Sequence, residues 1–152
     1  MLCINPDVSY SLSVASGFQA NYREEHWMAV KNILKYLRKT NDIFLIYEDS
    51  ELKVSGYTDA SFQTDKDDYK SQSGFIFLLN EGTVSWKSFK QSMIVDSTTE
   101  AEYIAASEVV KEAVWMHKFI AELELVLSIT DPIIIYCDNN GAIAQAKEPW
   151  SH

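Results

Sequence analysis

The chain has 152 residues, 47% of them hydrophobic and 12% aromatic, which suits one compact domain with a real core, or a small domain with an appendage, and excludes a disordered chain. A formal net charge of −9 argues against a stand-alone binder of nucleic acid, because phosphate contacts call for a basic surface; such a role would need divalent cations or a basic partner. Two cysteines, Cys3 and Cys137, are too few for a disulfide framework or a zinc site, so reduced intracellular thiols are the simpler reading. No apolar run is long enough to span a bilayer and no signal-like segment opens the chain, so the expectation is an intracellular protein, cytoplasmic or nuclear, with no membrane partner.

Pro6-Asp7 signals a turn, and a short helix is expected from Val8 to Ser16. His26 to Thr40 predicts an amphipathic helix with Trp27, Val30, Leu34 and Leu37 on one face and Lys31, Lys35, Arg38 and Lys39 elsewhere. Ile43 to Tyr47 reads as a strand, followed by the polar turn Glu48-Asp49-Ser50-Glu51. Residues 1–50 therefore form a mainly helical unit with a pattern unlike the rest, and residues 51–152 a second one. There, Leu52 to Ser61 predicts a strand and Gln63 to Gln72 a charged loop. Ser73 to Leu79 and Thr83 to Lys87 predict strands joined by the hairpin signal Asn80-Glu81-Gly82. A helix follows from Thr98 to about Leu127, then a short buried strand of the parallel type at Ile133 to Cys137. Asn139-Asn140 caps a last helix that runs to about Lys147 and ends at Pro149. The order is three antiparallel strands, a helix, a parallel strand and a helix: an α/β fold on a mixed sheet.

One residue breaks this pattern. Projected at the helical period, Glu102 falls on the apolar face with Ala105, Ala106, Val109, Ala113, Met116, Ile120 and Leu123, while Glu100 falls opposite, with Ser107, Lys111, Lys118 and Glu122. A carboxylate facing a core is paired, protonated or holding a metal. Asp59 lies at the far end of the first strand and Asp138 directly follows the buried one. If those strands lie side by side and parallel, the aspartates meet where ligand sites gather in such sheets, and the first turn of the long helix can bring Glu102 to them. Three converging carboxylates repel unless cations bridge them, and oxygen-only donors suit Mg²⁺ or Mn²⁺. A pair of such ions is a standard device for phosphodiester cleavage.

Simpler readings compete for several residues. Ser97 and Glu100 form a capping box, which explains Glu100 by structure alone. Alone, Asp59 would be a turn former and Asp138 a helix cap; their convergence with Glu102 favours the site. His26, His117 and His152 show no metal spacing, the Asp65-Lys66-Asp67-Asp68 run reads as a solvated loop, and Cys137 as a small buried hydrophobe. Trp86-Lys87 is either strand-end packing or a nucleic-acid contact.

Five blocks carry a resemblance: Gly56-Tyr57-Thr58-Asp59-Ala60-Ser61, Ser71-Gln72-Ser73-Gly74-Phe75, Val84-Ser85-Trp86-Lys87-Ser88, Ser97-Thr98-Thr99-Glu100-Ala101-Glu102-Tyr103-Ile104-Ala105 and Tyr136-Cys137-Asp138-Asn139-Asn140-Gly141-Ala142. In this order they resemble the ribonuclease H domain of copia-type LTR retrotransposon Pol polyproteins, over residues 54–152. Asn5-Pro6-Asp7-Val8-Ser9-Tyr10 and the segment His26 to Leu37 resemble the end of the reverse transcriptase and its connection in the same polyprotein.

The resemblance implies a ribonuclease H-like fold and a metal-dependent endonuclease that cleaves the RNA strand of an RNA–DNA hybrid with two Mg²⁺ or Mn²⁺ ions. Asp59 would bridge both metals, Glu102 would be the helix carboxylate and Asp138 the ligand after the fourth strand. Trp86, Lys87 and Lys90, beside Phe89, would contact the hybrid backbone, and Asn139 and Asn140 a sugar or phosphate. The hybrid and the reverse transcriptase region are the implied partners. The family pattern continues past His152 with a fourth acidic ligand and the last elements of the fold, so the expectation is a chain incomplete at its C-terminus, with an exposed sheet edge open to self-association. The alternative is a catalytically impaired or domesticated remnant acting as a protein-interaction or regulatory module.

Overall fold

A computed structural model describes residues 6–43, 53–65, 67–122 and 132–148. Pro6–Val8 makes one turn of 3-10 helix, which leads into α1 (Ser9–Gly17) and, after a short link, α2 (Glu24–Lys39). Glu24 and Glu25 open α2 and Arg38 and Lys39 close it, the charge order that complements the helix dipole. His26 joins the two helices: its Nδ1 accepts from Arg23 N at 3.0 Å, and its ring stacks on Phe18 at 4.1 Å. Tyr36 Oη donates to Asp7 Oδ2 at 2.7 Å and ties α2 back to the opening turn. The strand expected at Ile43 to Tyr47 lies outside the described residues from 44 onward.

The sheet has the order β3-β2-β1-β4. β1 (Val54–Ser61), β2 (Gln72–Leu79) and β3 (Gly82–Lys90) are antiparallel neighbours, and β4 (Ile134–Tyr136) runs parallel to β1 with Tyr57 opposite Tyr136. The expected hairpin joins β2 to β3, but the left-handed residues are Asn80 (φ 47) and Glu81 (φ 66), and Gly82 already belongs to the strand. The Asn80 side chain holds this turn in place, its Oδ1 accepting from Lys53 N at 2.9 Å.

Pleating divides the work between two faces. Phe75 and Phe77 turn toward α3 (Thr98–Glu122), where Phe77 packs with Val109, Ala113 and Met116, and Val54, Ile120, Ile133 and Ile135 close around them. Gln72, one step out of phase, turns the other way and meets α1: its Nε2 donates to Ser13 Oγ at 2.7 Å and to Ser88 Oγ at 2.9 Å. Helix α4 (Asn140–Lys147) packs against α3.

One expectation reaches past the described residues and one changes. The long helix is described to Glu122, and its continuation toward Leu127 lies outside the described residues. β4 is parallel as expected but not buried: Ile134 is 58% exposed and Tyr136 49%. β4 sits at the edge of the described sheet with α3 covering one face, so Ile135 alone of its three residues reaches the core, and Tyr136 stacks on Tyr57 at 4.9 Å.

Gly56 tests this packing. A Cβ there would lie 2.7 Å from Cε1 of Phe77, whose side chain is fully buried and has no room to retreat. Gly56→Ala is expected to lower stability by about 1–3 kcal/mol in urea unfolding; an unchanged midpoint would mean that the sheet and α3 separate more easily than this contact implies.

Candidate metal centre

Three chain segments end at the same edge of the fold. Two residues beyond the Tyr57–Tyr136 pair, along parallel strands, stand Asp59 and Asp138. The start of α3 is brought to them by Gln91, which is buried and whose Nε2 donates to Ser73 Oγ at 2.7 Å and to Ala101 O at 2.9 Å. Ser97 Oγ accepts from Glu100 N at 3.2 Å, while Glu100 Oε2 accepts from Asp96 N at 2.9 Å, so Glu100 caps the helix as expected, with its carboxylate reaching Asp96. The start of α4 is set by Asn139 Oδ1, which accepts from Ala142 N at 3.0 Å. Gly141 lets the two helix starts approach: a Cβ there would lie 3.0 Å from both Cγ2 and Oγ1 of Thr99.

Glu102 stands at this junction and is 5% exposed. Its Oε1 accepts from Ala60 N at 3.0 Å; its Oε2 is buried and has no hydrogen-bond partner among the described residues. Burial pushes the Glu102 carboxyl above the usual range; the Ala60 N–H pulls it back, and the charges of Asp59 and Asp138 push it further up. A Glu102 carboxylate oxygen, Cys137 Sγ and an Asp138 carboxylate oxygen all lie within 4.8 Å of one another, a group that can hold a metal ion. Asp59 does not join a group of three at that spacing, although its charge reaches Glu102. It is exposed and lines a groove of about 290 Å³ between α1 and the sheet, together with Tyr10, Gln72, Trp86 and Lys87.

The remaining candidates are scattered around this centre. Lys90 is not a free cation: its Nζ lies 2.6 Å from Asp65 and 2.8 Å from Asp68. That corrects one expectation, because the acidic run is not simply solvated but folds back onto β3. The ammonium holds the Asp65 carboxyl below its usual range, and the two carboxylates hold Lys90 above its own. Lys87 is exposed, with its ammonium 5.0 Å from the Phe89 ring centre. Trp86 is half-buried, and its Nε1 has no partner among the described residues. The Asn139 side chain serves the helix cap, and Asn140 is exposed.

Sequence reasoning placed Cys137 among buried hydrophobes; it is half-buried and presents its sulfur to two carboxylates. Strand alternation would send Cys137 and Asp138 to opposite faces, but β4 ends at Tyr136, so both belong to the turn before α4.

The chain is 41% identical over 152 residues to the retrovirus-related Pol polyprotein from transposon TNT 1-94 of Nicotiana tabacum, which takes in all of this chain and 11% of that protein. It is 39% identical over 148 residues to the retrovirus-related Pol polyprotein from transposon RE1 of Arabidopsis thaliana, 97% of this chain and 10% of that one. The chain thus spans about a tenth of the length of these relatives. It is also 39% identical over 117 residues to the secreted RxLR effector protein 161 of Plasmopara viticola, 76% of this chain and 82% of that protein. No family model and no solved structure matches the chain. Among the described residues no helix is long and apolar enough to cross a membrane.

Glu102 should also mark stability. With its carboxyl raised by folding, the native state holds more protons than the unfolded chain between the two pKa values, so stability falls as pH rises through that interval and stays lower above it. In metal-free buffer, Glu102→Gln is expected to raise the urea midpoint at neutral pH, with the gain shrinking as the pH drops through the carboxylate range. A parent–variant difference that ignores pH would contradict a buried carboxylate.

Proposed function

Because the chain is similar along its whole length to retrovirus-related Pol polyproteins from plant transposons, we propose that it is a ribonuclease H domain preceded by the end of a reverse transcriptase, and that it cleaves the RNA strand of RNA–DNA hybrids. The observation that carries this reading is Glu102: a buried carboxylate with one unpartnered oxygen, beside Asp138, at the shared end of two parallel strands. The donors fit Mg²⁺ or Mn²⁺, since carboxylate oxygens are the ligands such ions prefer and a buried oxygen with no partner is poised for one. Asp59, Glu102 and Asp138 would hold them. When bound, a pair of these ions supplies an activated water and stabilises the 3′-oxyanion that leaves.

The chain's own residues do the positioning. The Ala60 N–H fixes one Glu102 oxygen and leaves the other buried without a hydrogen-bond partner among the described residues. Asp138 stands directly before the Asn139 cap that starts α4. Asp59 faces the groove from which a substrate phosphate arrives, and Lys87 stands on the same groove as a counter-charge to that phosphate. With a net charge of −9, the protein admits a polyanion only when cations screen its acidic residues, so hybrid binding and catalysis share the same ion requirement.

A second reading is a non-catalytic module that keeps the fold and engages proteins. It draws on the Plasmopara viticola relative, of which this chain covers 82% and which is named an effector rather than a polymerase. A labelled hybrid separates the two. The nuclease reading expects cleavage in Mg²⁺ or Mn²⁺ that falls on the order of 10²-fold or more in Asp59→Asn, beyond the 10–100-fold typical of outer-shell partners. No cleavage by the folded chain at high concentration would favour the module.

The two lysines make a further contrast. Lys87→Ala is expected to weaken hybrid binding and flatten its salt dependence. Lys90→Ala should instead release the loop held through Asp65 and Asp68, costing less than about 1 kcal/mol of stability and leaving that salt dependence unchanged.

A further inference from the structure

The donor set at the end of β4 is not all oxygen. Cys137 places a sulfur with Glu102 and Asp138, each donor atom within 4.8 Å of the other two. Glu102 is 5% exposed, and its Oε2 has no hydrogen-bond partner among the described residues, so the group includes a buried donor with coordinating capacity unspent. Tetrahedral zinc, with Zn–S about 2.3 Å and Zn–O about 2.0–2.2 Å, sets neighbouring donors about 3.5 Å apart, so the group needs to close by at most about 1.3 Å. Asp138 is exposed, and rotation of its side chain supplies a movement of that size. Mg²⁺ gains little from sulfur, whereas zinc-class ions accept thiolate and carboxylate together.

We propose that Glu102, Cys137 and Asp138 form a binding site for a thiophilic divalent cation of the zinc class. As the sulfur–metal bond forms, the Cys137 thiol gives its proton to solvent, and water completes the coordination shell. The site depends on donor geometry alone. Its consequence for activity rests on the nuclease reading: a zinc-class ion takes Glu102 and Asp138 away from Mg²⁺ and so acts as an inhibitor of hybrid cleavage.

Cadmium is the spectroscopic probe. The full chain titrated with Cd²⁺ is expected to develop an ultraviolet thiolate-to-metal charge-transfer band that saturates at a single ion, survives Cys3→Ser and disappears in Cys137→Ser. Zn²⁺ should displace Cd²⁺ and abolish the band, with a Zn²⁺ affinity at least about tenfold weaker in Glu102→Gln, which keeps the thiol. Thermal melts followed by circular dichroism establish that the variants fold; should Cys137→Ser fail to, the parent, Cys3→Ser and Glu102→Gln titrations decide. No band in the parent chain, a band that follows Cys3, or a Zn²⁺ affinity unchanged in Glu102→Gln overturns the site. Cd²⁺ binding without hybrid cleavage in Mg²⁺ overturns the nuclease reading and leaves this one standing.

Discussion

The hydrogen bond from Ala60 N to Glu102 Oε1 decides where α3 rests on the sheet. It joins the first turn of a helix described as far as Glu122 to the last residues of β1, and it does so with a carboxylate, which resists burial. The contacts around it compensate by making the alternative worse. Phe77, Val109, Ala113 and Met116 lock the middle of α3 on β2, and Gln91 fastens the helix start, at Ala101, to Ser73. Once α3 is pinned at these points, Glu102 is left almost wholly out of bulk water, and the acidic junction follows from the packing.

Glu102 was legible because its helix is unambiguous. The stripe of Ala105, Val109, Ala113 and Met116 is buried as the helical period requires, and Glu102 lies on that stripe. The strands, their order of pairing and the cap at Asn139 were legible for the same reason, since each has a local signature of period or turn chemistry. What escaped depends on distance along the chain or on a single residue of register. The pairing of Lys90 with Asp65 and Asp68 requires knowing how the loop after β1 returns, which no local pattern encodes. The placement of Cys137 beside Glu102 and Asp138 turns on β4 ending at Tyr136. The exposure of Ile134 and Tyr136 reflects their place at the edge of the described sheet, which a run of apolar residues cannot reveal.

The two faces of the sheet serve different ends. The face under α3 is apolar and closed, and it supplies rigidity to the junction of β1, α3 and β4. The face under α1 is polar and partly open, with Gln72 bridging Ser13 and Ser88 beside the groove that Asp59 lines. The opening turn and α1 therefore form one wall of the approach to Asp59, and the sheet forms the other.

The unequal exposure of Asp138 and Glu102 sets an order of events for any ion that reaches them. Asp138 meets solvent, whereas Glu102 lies 95% out of it, with an exposure of 5%. An arriving cation keeps most of its hydration shell at Asp138 and must shed water to engage Glu102. Dehydration at the inner carboxylate is then the slow part of loading, and rehydration there the slow part of release. Ions that exchange their water reluctantly will equilibrate slowly with this centre, however strongly its acidic residues draw them from a distance.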